Sequence, residues 1–259
     1  MSKILDQKYF AHTKEQWRLM PKAIVDGAIE DILYFAKKEL KVPLKEATVL
    51  DVGCGSGGYV FGIEKYVKKV VGVEPYKPGY QQALENKKRF KSQAQFVNEL
   101  IENYDTNERF DLVINLSCVE HMPRVEDSFK RVLSLMNKGG IIYLTAPNKW
   151  WPIEQHYKLP FLSMLPLPLA NLYVRITGKA DSYEDCSYFK SYFGMRKIFD
   201  ALPCTYTFTL PHDINSAYIG IGNQSFHYKL LKNFGMFLIN LSPLFWVISK
   251  GFIMVIRKT

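Results

Sequence analysis

The run Thr48-Val49-Leu50-Asp51-Val52-Gly53-Cys54-Gly55-Ser56-Gly57-Gly58 constrains this chain more than any other stretch. Residues 49–52, apolar apart from Asp51, read as a buried strand that breaks into a glycine-dense turn and restarts as a helix near Tyr59. Glycine permits a sharp turn with positive φ, and with no Cβ it lets a ligand approach the main chain. The helix that follows directs unpaired N–H groups at the same crevice. In a parallel α/β sheet that crevice lies at the carboxyl ends of the strands.

Gly53, Gly55 and Gly58 also satisfy G-x-G-x-x-G, the dinucleotide fingerprint. Two features argue against a pyrophosphate. Asp51 stands two residues before the first glycine, where a carboxylate repels phosphate. No Lys or Arg lies between Asp51 and Tyr59, so a Walker loop is excluded too. The expected ligand lacks phosphate and carries a cation, and S-adenosylmethionine, with an ammonium and a sulfonium, fits. At these residues the chain resembles the seven-strand S-adenosylmethionine-dependent methyltransferases, whose first motif is (V/L)-L-D-x-G-C-G-x-G. The resemblance implies an α/β fold: a doubly wound, mostly parallel, seven-stranded Rossmann-like sheet with an antiparallel last strand. It also implies S-adenosylmethionine as cofactor, held at Asp51, Gly53, Cys54, Gly55 and Gly57.

The following elements extend the pattern. Residues 69–75 form a short β-branched run ending in Glu74 and Pro75. Glu74 lies about twenty residues beyond Gly53, where α/β nucleotide sites set a carboxylate against ribose hydroxyls. A polar, basic helix is expected over 81–91, and a third strand with its exit over 95–100. The resemblance implies an acid after that strand against the adenine amine, a place for which Asn98 and Glu99 compete, with the Leu100 N–H beside it. The fourth strand, 109–117, runs into Cys118-Val119-Glu120-His121. The F-D-x-V-x-x-x-S-x-x-E-H pattern here is a second likeness to the family, and implies that Asn115, Leu116 and Ser117 line the methionine end of the donor. His121 either faces the same mouth or caps the next helix. That helix is read over 125–136, stopped at 137–140 with glycine as its C-terminal cap. A fifth strand, 141–145, and Pro147-Asn148 complete the resemblance, which covers about residues 45–148.

At 259 residues the chain suits one large α/β domain. Its parts read as an N-terminal helical segment (1–44), a donor-binding core (45–148), an inserted lid (149–185) and C-terminal helices and last strands (186–259). In the first part, Tyr9, Phe10 and Trp17 punctuate a polar stretch that covers the cofactor or packs on the sheet. Pro21 then opens a helix through Ile24, Ala28, Ile32 and Phe35. The lid carries Trp150, Trp151, Phe161 and a proline density incompatible with a single regular helix. Its W-P-x-E-x-H-x-x-L-P-F-L run resembles a methyltransferase subgroup associated with lipid-like or sugar-like acceptors. Beyond it come a helix over 187–202, a strand over 205–210, an apolar stretch over 228–249 broken at Asn240 and Pro243, and a last strand over 252–256.

The four cysteines, at 54, 118, 186 and 204, form no C-x-x-C pair, so neither a metal site nor a disulfide framework is expected, and reduced cytoplasmic thiols are the plain reading. A net charge of +9 admits nucleic acid, anionic lipid headgroups or phosphorylated substrates as partners and selects none of them. The basic residues are dispersed and no N-P-P-Y-type motif is present, which disfavours nucleic acid. The sequence therefore predicts a methyltransferase for a small-molecule acceptor, lipid-linked or glycan-like, cytoplasmic with peripheral membrane contact allowed. His121 and His156 are the candidate bases for an oxygen acceptor. The competing readings are a nicotinamide-dependent oxidoreductase and a non-catalytic S-adenosylmethionine-binding module.

Overall fold

The computed structural model describes residues 19–213 and 226–259. The expectation for the segment carrying Tyr9, Phe10 and Trp17 lies outside the described residues. Seven strands form one sheet: β1 (Thr48–Val52), β2 (Lys69–Val73), β3 (Gln95–Val97), β4 (Phe110–Leu116), β5 (Met136–Pro147), β6 (Cys204–Thr209) and β7 (Gly251–Lys258). Their order is β3-β2-β1-β4-β5-β7-β6. The strands β1 to β5 pair in parallel, and β7 runs antiparallel between β5 and β6. This is the expected doubly wound sheet with an antiparallel last strand.

Strand alternation divides the core. Leu50, Val52, Val113 and Ile142 belong to one apolar cluster, with Phe129 and Val132 of α4 (Val125–Leu135) and Phe199 of α6 (Tyr192–Asp200). Val49, Leu112, Ile114 and Tyr143 belong to the other, with Ile29 and Ile32 of α1 (Lys22–Glu39) and Val60 of α2 (Gly58–Glu64). Each buried Leu, Ile or Phe contributes about 1.5–3 kcal/mol. The helices thus cover both faces, and the chain order leaves the carboxyl ends of β1 and β4 side by side. The order reverses between them, and that switch point is where an open α/β sheet binds its ligand.

Several boundaries differ from the sequence reading. Helix α3 (Lys77–Phe90) starts earlier than 81, because Pro78 fits the first turn, where its missing N–H costs nothing. Helix α4 stops at Leu135 and no glycine caps it: Met136 is already extended and pairs with Phe110. Gly139, at φ +80, instead bends the strand that has begun. Helix α6 begins only at Tyr192, where the Ser191 side chain accepts the Gly194 N–H as an N-cap. Residues 149–185 form no single regular helix, as expected from their prolines: a 3-10 turn (Leu162–Met164) is followed by the short α5 (Leu167–Ile176), which Pro166 precedes and whose first turn holds Pro168.

The segment expected as a lid is closed at its base, just beyond the end of β5. Asn148 bridges to Lys190, and Lys149 N–H donates to the Lys190 carbonyl at 3.0 Å. Between them lies a small core of its own, including Tyr157, Leu162, Val174, Tyr183 and Phe189. Trp150 and Phe161 stay largely exposed. The helix α7 (Phe226–Leu241) and a 3-10 turn (Pro243–Ile248) precede β7. Among the described residues no helix is long and apolar enough to cross a membrane.

Candidate active site

The glycine turn is held shut by backbone hydrogen bonds. Gly53, at φ +75, and Cys54 both donate to the Val73 carbonyl, at 2.8 and 3.2 Å. A Cβ on Gly53 would stand 2.4 Å from Cys118 Sγ, so the position tolerates neither the side chain nor the φ of another residue. Gly57 takes the left-handed conformation immediately before α2. The Glu74 carboxylate spans the turn: Oε2 accepts from Gly55 N–H and Oε1 from Tyr76 N–H, both at 2.8 Å. A carboxylate offers about four lone-pair sites, so two remain for a ligand's hydroxyls.

Beside the turn, Asp51 is 2% exposed and its Oδ2 has no hydrogen-bond partner. Asn115 donates from Nδ2 to the Val52 carbonyl at 3.3 Å while its buried Oδ1 is unpartnered. Burial, and secondarily the Glu74 charge, pushes Asp51 up to about 8. Burial likewise pushes Glu74 up to about 7. An ammonium ligand would relieve both, supplying hydrogen bonds to the orphaned oxygens and a charge that stabilises the carboxylates. The chemistry of this cradle fits S-adenosylmethionine and opposes an anionic pyrophosphate.

The predicted residues after β3 take mostly local roles. Asn98 Nδ2 donates to the carbonyls of Glu74 and Pro75, at 2.8 and 3.0 Å, fixing the exit of β2. Glu99 Oε1 accepts the Leu100 N–H at 3.0 Å. Leu116 is half-buried at the end of β4. Ser117, at φ +48, turns the chain there while its N–H donates to the Thr145 carbonyl at 3.0 Å.

The structure brings His121 and His156 together, 35 positions apart in sequence, with ring centroids 5.3 Å apart and edge-to-face. His121 Nδ1 lies 2.8 Å from the Asp185 carbonyl. A carbonyl only accepts, so Nδ1 carries the proton and Nε2 keeps its lone pair. Burial holds His121 down at about 4. His156 Nδ1 lies 2.8 Å from Glu154 Oε1, and its Nε2 is 3.9 Å from Glu120 Oε1. Burial alone would lower His156, but the Glu154 hydrogen bond and the Glu120 charge outweigh it and raise the imidazole above its ordinary value. Glu154 also accepts the N–H groups of His156 and Tyr157, at 2.8 and 2.6 Å, so its position is fixed by three donors. Glu120 is 1% exposed, its Oε2 has no partner, and burial pushes it up to about 7.

Cys118 joins the two clusters. Its Sγ is the atom that a Cβ on Gly53 would meet, and Glu120 stands two residues further on; burial, and then the charges of Glu74, Glu120 and Asp51, raise the thiol. Sequence reasoning missed Cys118, Glu120, Glu154 and Asp185 as site residues. The E-H pair carried a signal for Glu120, and Glu154 stands two residues before His156; Asp185 acts through its backbone, which no side-chain pattern reports.

Comparison with known proteins identifies the family and the fold. Residues 21–201 match the family described as "Methyltransferase domain". The ubiquinone biosynthesis O-methyltransferase of Pelagibacter ubique (strain HTCC1062) is 28% identical over 107 residues, which is 41% of this chain and 45% of that protein. The chain thus spans less than half the length of the curated relative. The plantazolicin methyltransferase BpumL, solved with a pentazolic desmethylPZN analog and SAH, shares the fold at a TM-score of 0.61 and 15% identity, over 99% of this chain and 95% of that one. The DhpI–SAH complex does so at 0.58 and 11% identity, over 100% and 98%. With the glycine turn, the acidic strand ends and the matched domain in agreement, the chain belongs to the class I, S-adenosylmethionine-dependent methyltransferase family.

Proposed function

We propose that this chain transfers the methyl group of S-adenosylmethionine to a hydroxyl oxygen of a small acceptor with an apolar portion. The observation that carries the reading is the buried pairing of His156 with Glu154, Nδ1 to Oε1 at 2.8 Å, which aims Nε2 at Glu120 beside the donor crevice. Methyl transfer is an in-line displacement in which the thioether leaves, and it needs the acceptor oxygen aligned and relieved of its proton. His156 is suited to take that proton. His121, held near 4, is a poor base at neutral pH and serves to orient the acceptor. Asp51, Gly53, Cys54, Gly55, Gly57 and Asn115 would hold the methionine end of the donor, with Leu116 and Ser117 at its edge. Glu74 and Pro75 would hold the ribose, and Asn98, Glu99 and Leu100 the adenine.

The O-methyltransferase names of the curated relatives support an oxygen acceptor. An apolar portion is supported by the exposed side chains of Phe161, Leu169, Leu172 and Ile176 on the lid and of Leu231, Phe234 and Phe237 on α7. Such a surface on a chain of net charge +9 suits peripheral contact with an anionic membrane. The test is transfer of labelled methyl from S-adenosylmethionine into a cell extract fractionated into lipid, small-molecule, RNA and protein pools. Label is expected in the organic-extractable pool as an O-methyl ether. Label confined to RNA or protein, or nicotinamide turnover without methyl transfer, would overturn the reading.

A further inference from the structure

We propose that Glu120, His121 and His156 bind a divalent transition-metal ion of the zinc type. A carboxylate oxygen of Glu120 and one ring nitrogen from each histidine lie within 4.8 Å of one another. The hydrogen bonds around them settle which atoms are free to ligate. His121 spends Nδ1–H on the Asp185 carbonyl and His156 spends Nδ1–H on Glu154, so both present the Nε2 lone pair. Imidazole ligands of metals are oriented in this way, by a carbonyl or a carboxylate on the other nitrogen. The third donor supplies an independent sign: Glu120, 1% exposed, keeps an oxygen with no partner inside the protein. A buried carboxylate without a compensating group is costly, and a cation between it and the two lone pairs would satisfy all three.

Two nitrogens and one carboxylate oxygen suit zinc and its neighbours rather than magnesium, which prefers oxygen throughout. Three protein ligands also leave a fourth position open. A second nearby group, Glu154, His156 and Cys186, is the weaker set because the Glu154 oxygens already accept three hydrogen bonds. The ligands come from the loop after β4 and from the lid, so no local spacing in the sequence announces them. An ion and a proton compete for the His156 lone pair, so base catalysis by His156 belongs to the metal-free protein. In the hydroxyl-acceptor reading, on which only the ion's use depends, the open position of the loaded site would receive the acceptor oxygen, whose proton would pass to solvent water.

The test is titration of chelator-treated full-length protein with Co2+ and Zn2+ alone, read by visible absorption and by equilibrium dialysis. One tight ion per chain is expected, with the d–d bands of a low-symmetry cobalt site. The near-isosteric Glu120→Gln should abolish the bands, and Glu154→Gln should weaken binding by roughly 10–100-fold. Circular dichroism and S-adenosylhomocysteine binding, unchanged in both variants, would show that the fold survives. Absence of a tight ion in the wild type, or equal binding by Glu120→Gln, would overturn the metal site. In that case chelator-resistant O-methylation would leave the proposed function standing, whereas ion binding without any hydroxyl acceptor would support the site and remove the function.

Discussion

Glu74 Oε2 accepts the backbone N–H of Gly55 at 2.8 Å, so the acid at the end of β2 holds the glycine turn at the end of β1 before any ligand arrives. Its partner oxygen accepts Tyr76 N–H, which ties the start of α3 to the same point. The residue expected to meet the ribose is therefore also a buttress of the loop. Glu74→Ala should weaken S-adenosylmethionine binding by about 1.5–3 kcal/mol, the scale of hydrogen bonds to a charged acceptor. Glu74→Gln, which keeps one acceptor oxygen, should lose less. Calorimetry finding wild-type affinity in both would contradict the assignment.

Gly53→Ala should abolish donor binding and destabilise the fold. The added Cβ meets Cys118 Sγ at 2.4 Å and the backbone sits at φ +75. The double variant Gly53→Ala, Cys118→Ala should recover part of the stability, since the clash is removed and only the left-handed strain persists. Thermal unfolding of the pair of variants checks this; equal melting temperatures would show that the Cys118 contact is not the cause.

The buried carboxylates predict how stability and binding vary with pH. Asp51 rises from an ordinary 3.8 to about 8 and Glu74 from 4.5 to about 7, both chiefly through burial. Groups raised in the folded state bind protons more tightly there than when unfolded. Their contribution to stability is whole below about pH 4 and is lost as pH rises through 7 to 8. The melting temperature of ligand-free protein should fall between pH 6 and 8.5 by less in Asp51→Asn than in wild type. Since the donor's ammonium favours ionised Asp51, donor uptake near pH 7 should release protons. Calorimetry in buffers of different ionisation enthalpy reads that release, and proton-neutral binding would count against Asp51 as the partner.

On the acceptor side, the proposed base His156 needs its Nε2 lone pair free, so the pH prediction is for metal-free protein. Glu154 and Glu120 raise its ionisation against the opposing effect of burial, so the turnover rate should fall on the acid side with an apparent ionisation above the ordinary 6.5. In Glu154→Gln that limb should shift to lower pH, because the principal stabiliser of the imidazolium is gone. A limb that does not move would assign it to another group.

The exposed apolar side chains predict a surface effect separate from donor binding. Replacing Phe161 and Ile176, 56% and 75% exposed, with Ser should reduce cosedimentation with anionic vesicles and leave the fold intact. Equal cosedimentation of variant and wild type would remove the membrane from the account.

The core of this molecule was legible because its strands and its glycine turn are local patterns. Leu50 and Val52 alternate with Val49 and Asp51, and the order Gly53, Gly55, Gly57 directly precedes a helix, so sheet, turn and donor crevice follow from short windows of sequence. Element ends were less legible, because tertiary pairing decides them: Met136 joins Phe110 in the sheet instead of extending α4. The acceptor side was legible in residue types only. His121 and His156 could be named, but their meeting, and the placing of Glu154 and the Asp185 carbonyl, depend on residues 185–188 returning to the loop after β4, where Tyr188 N–H donates to the Glu120 carbonyl at 3.1 Å.

The most direct test is to separate the two clusters by binding and by turnover. S-adenosylhomocysteine affinity by calorimetry, paired with methyl-transfer rate, would be measured for Asp51→Asn and His156→Gln. Asp51→Asn should lose affinity and rate together. His156→Gln should bind S-adenosylhomocysteine like wild type and lose transfer by roughly 100-fold or more, the scale of a lost acid–base group. Wild-type transfer in His156→Gln, or wild-type affinity in Asp51→Asn, would contradict the division into a donor cradle at β1 and an acceptor cluster between the β4 loop and the lid.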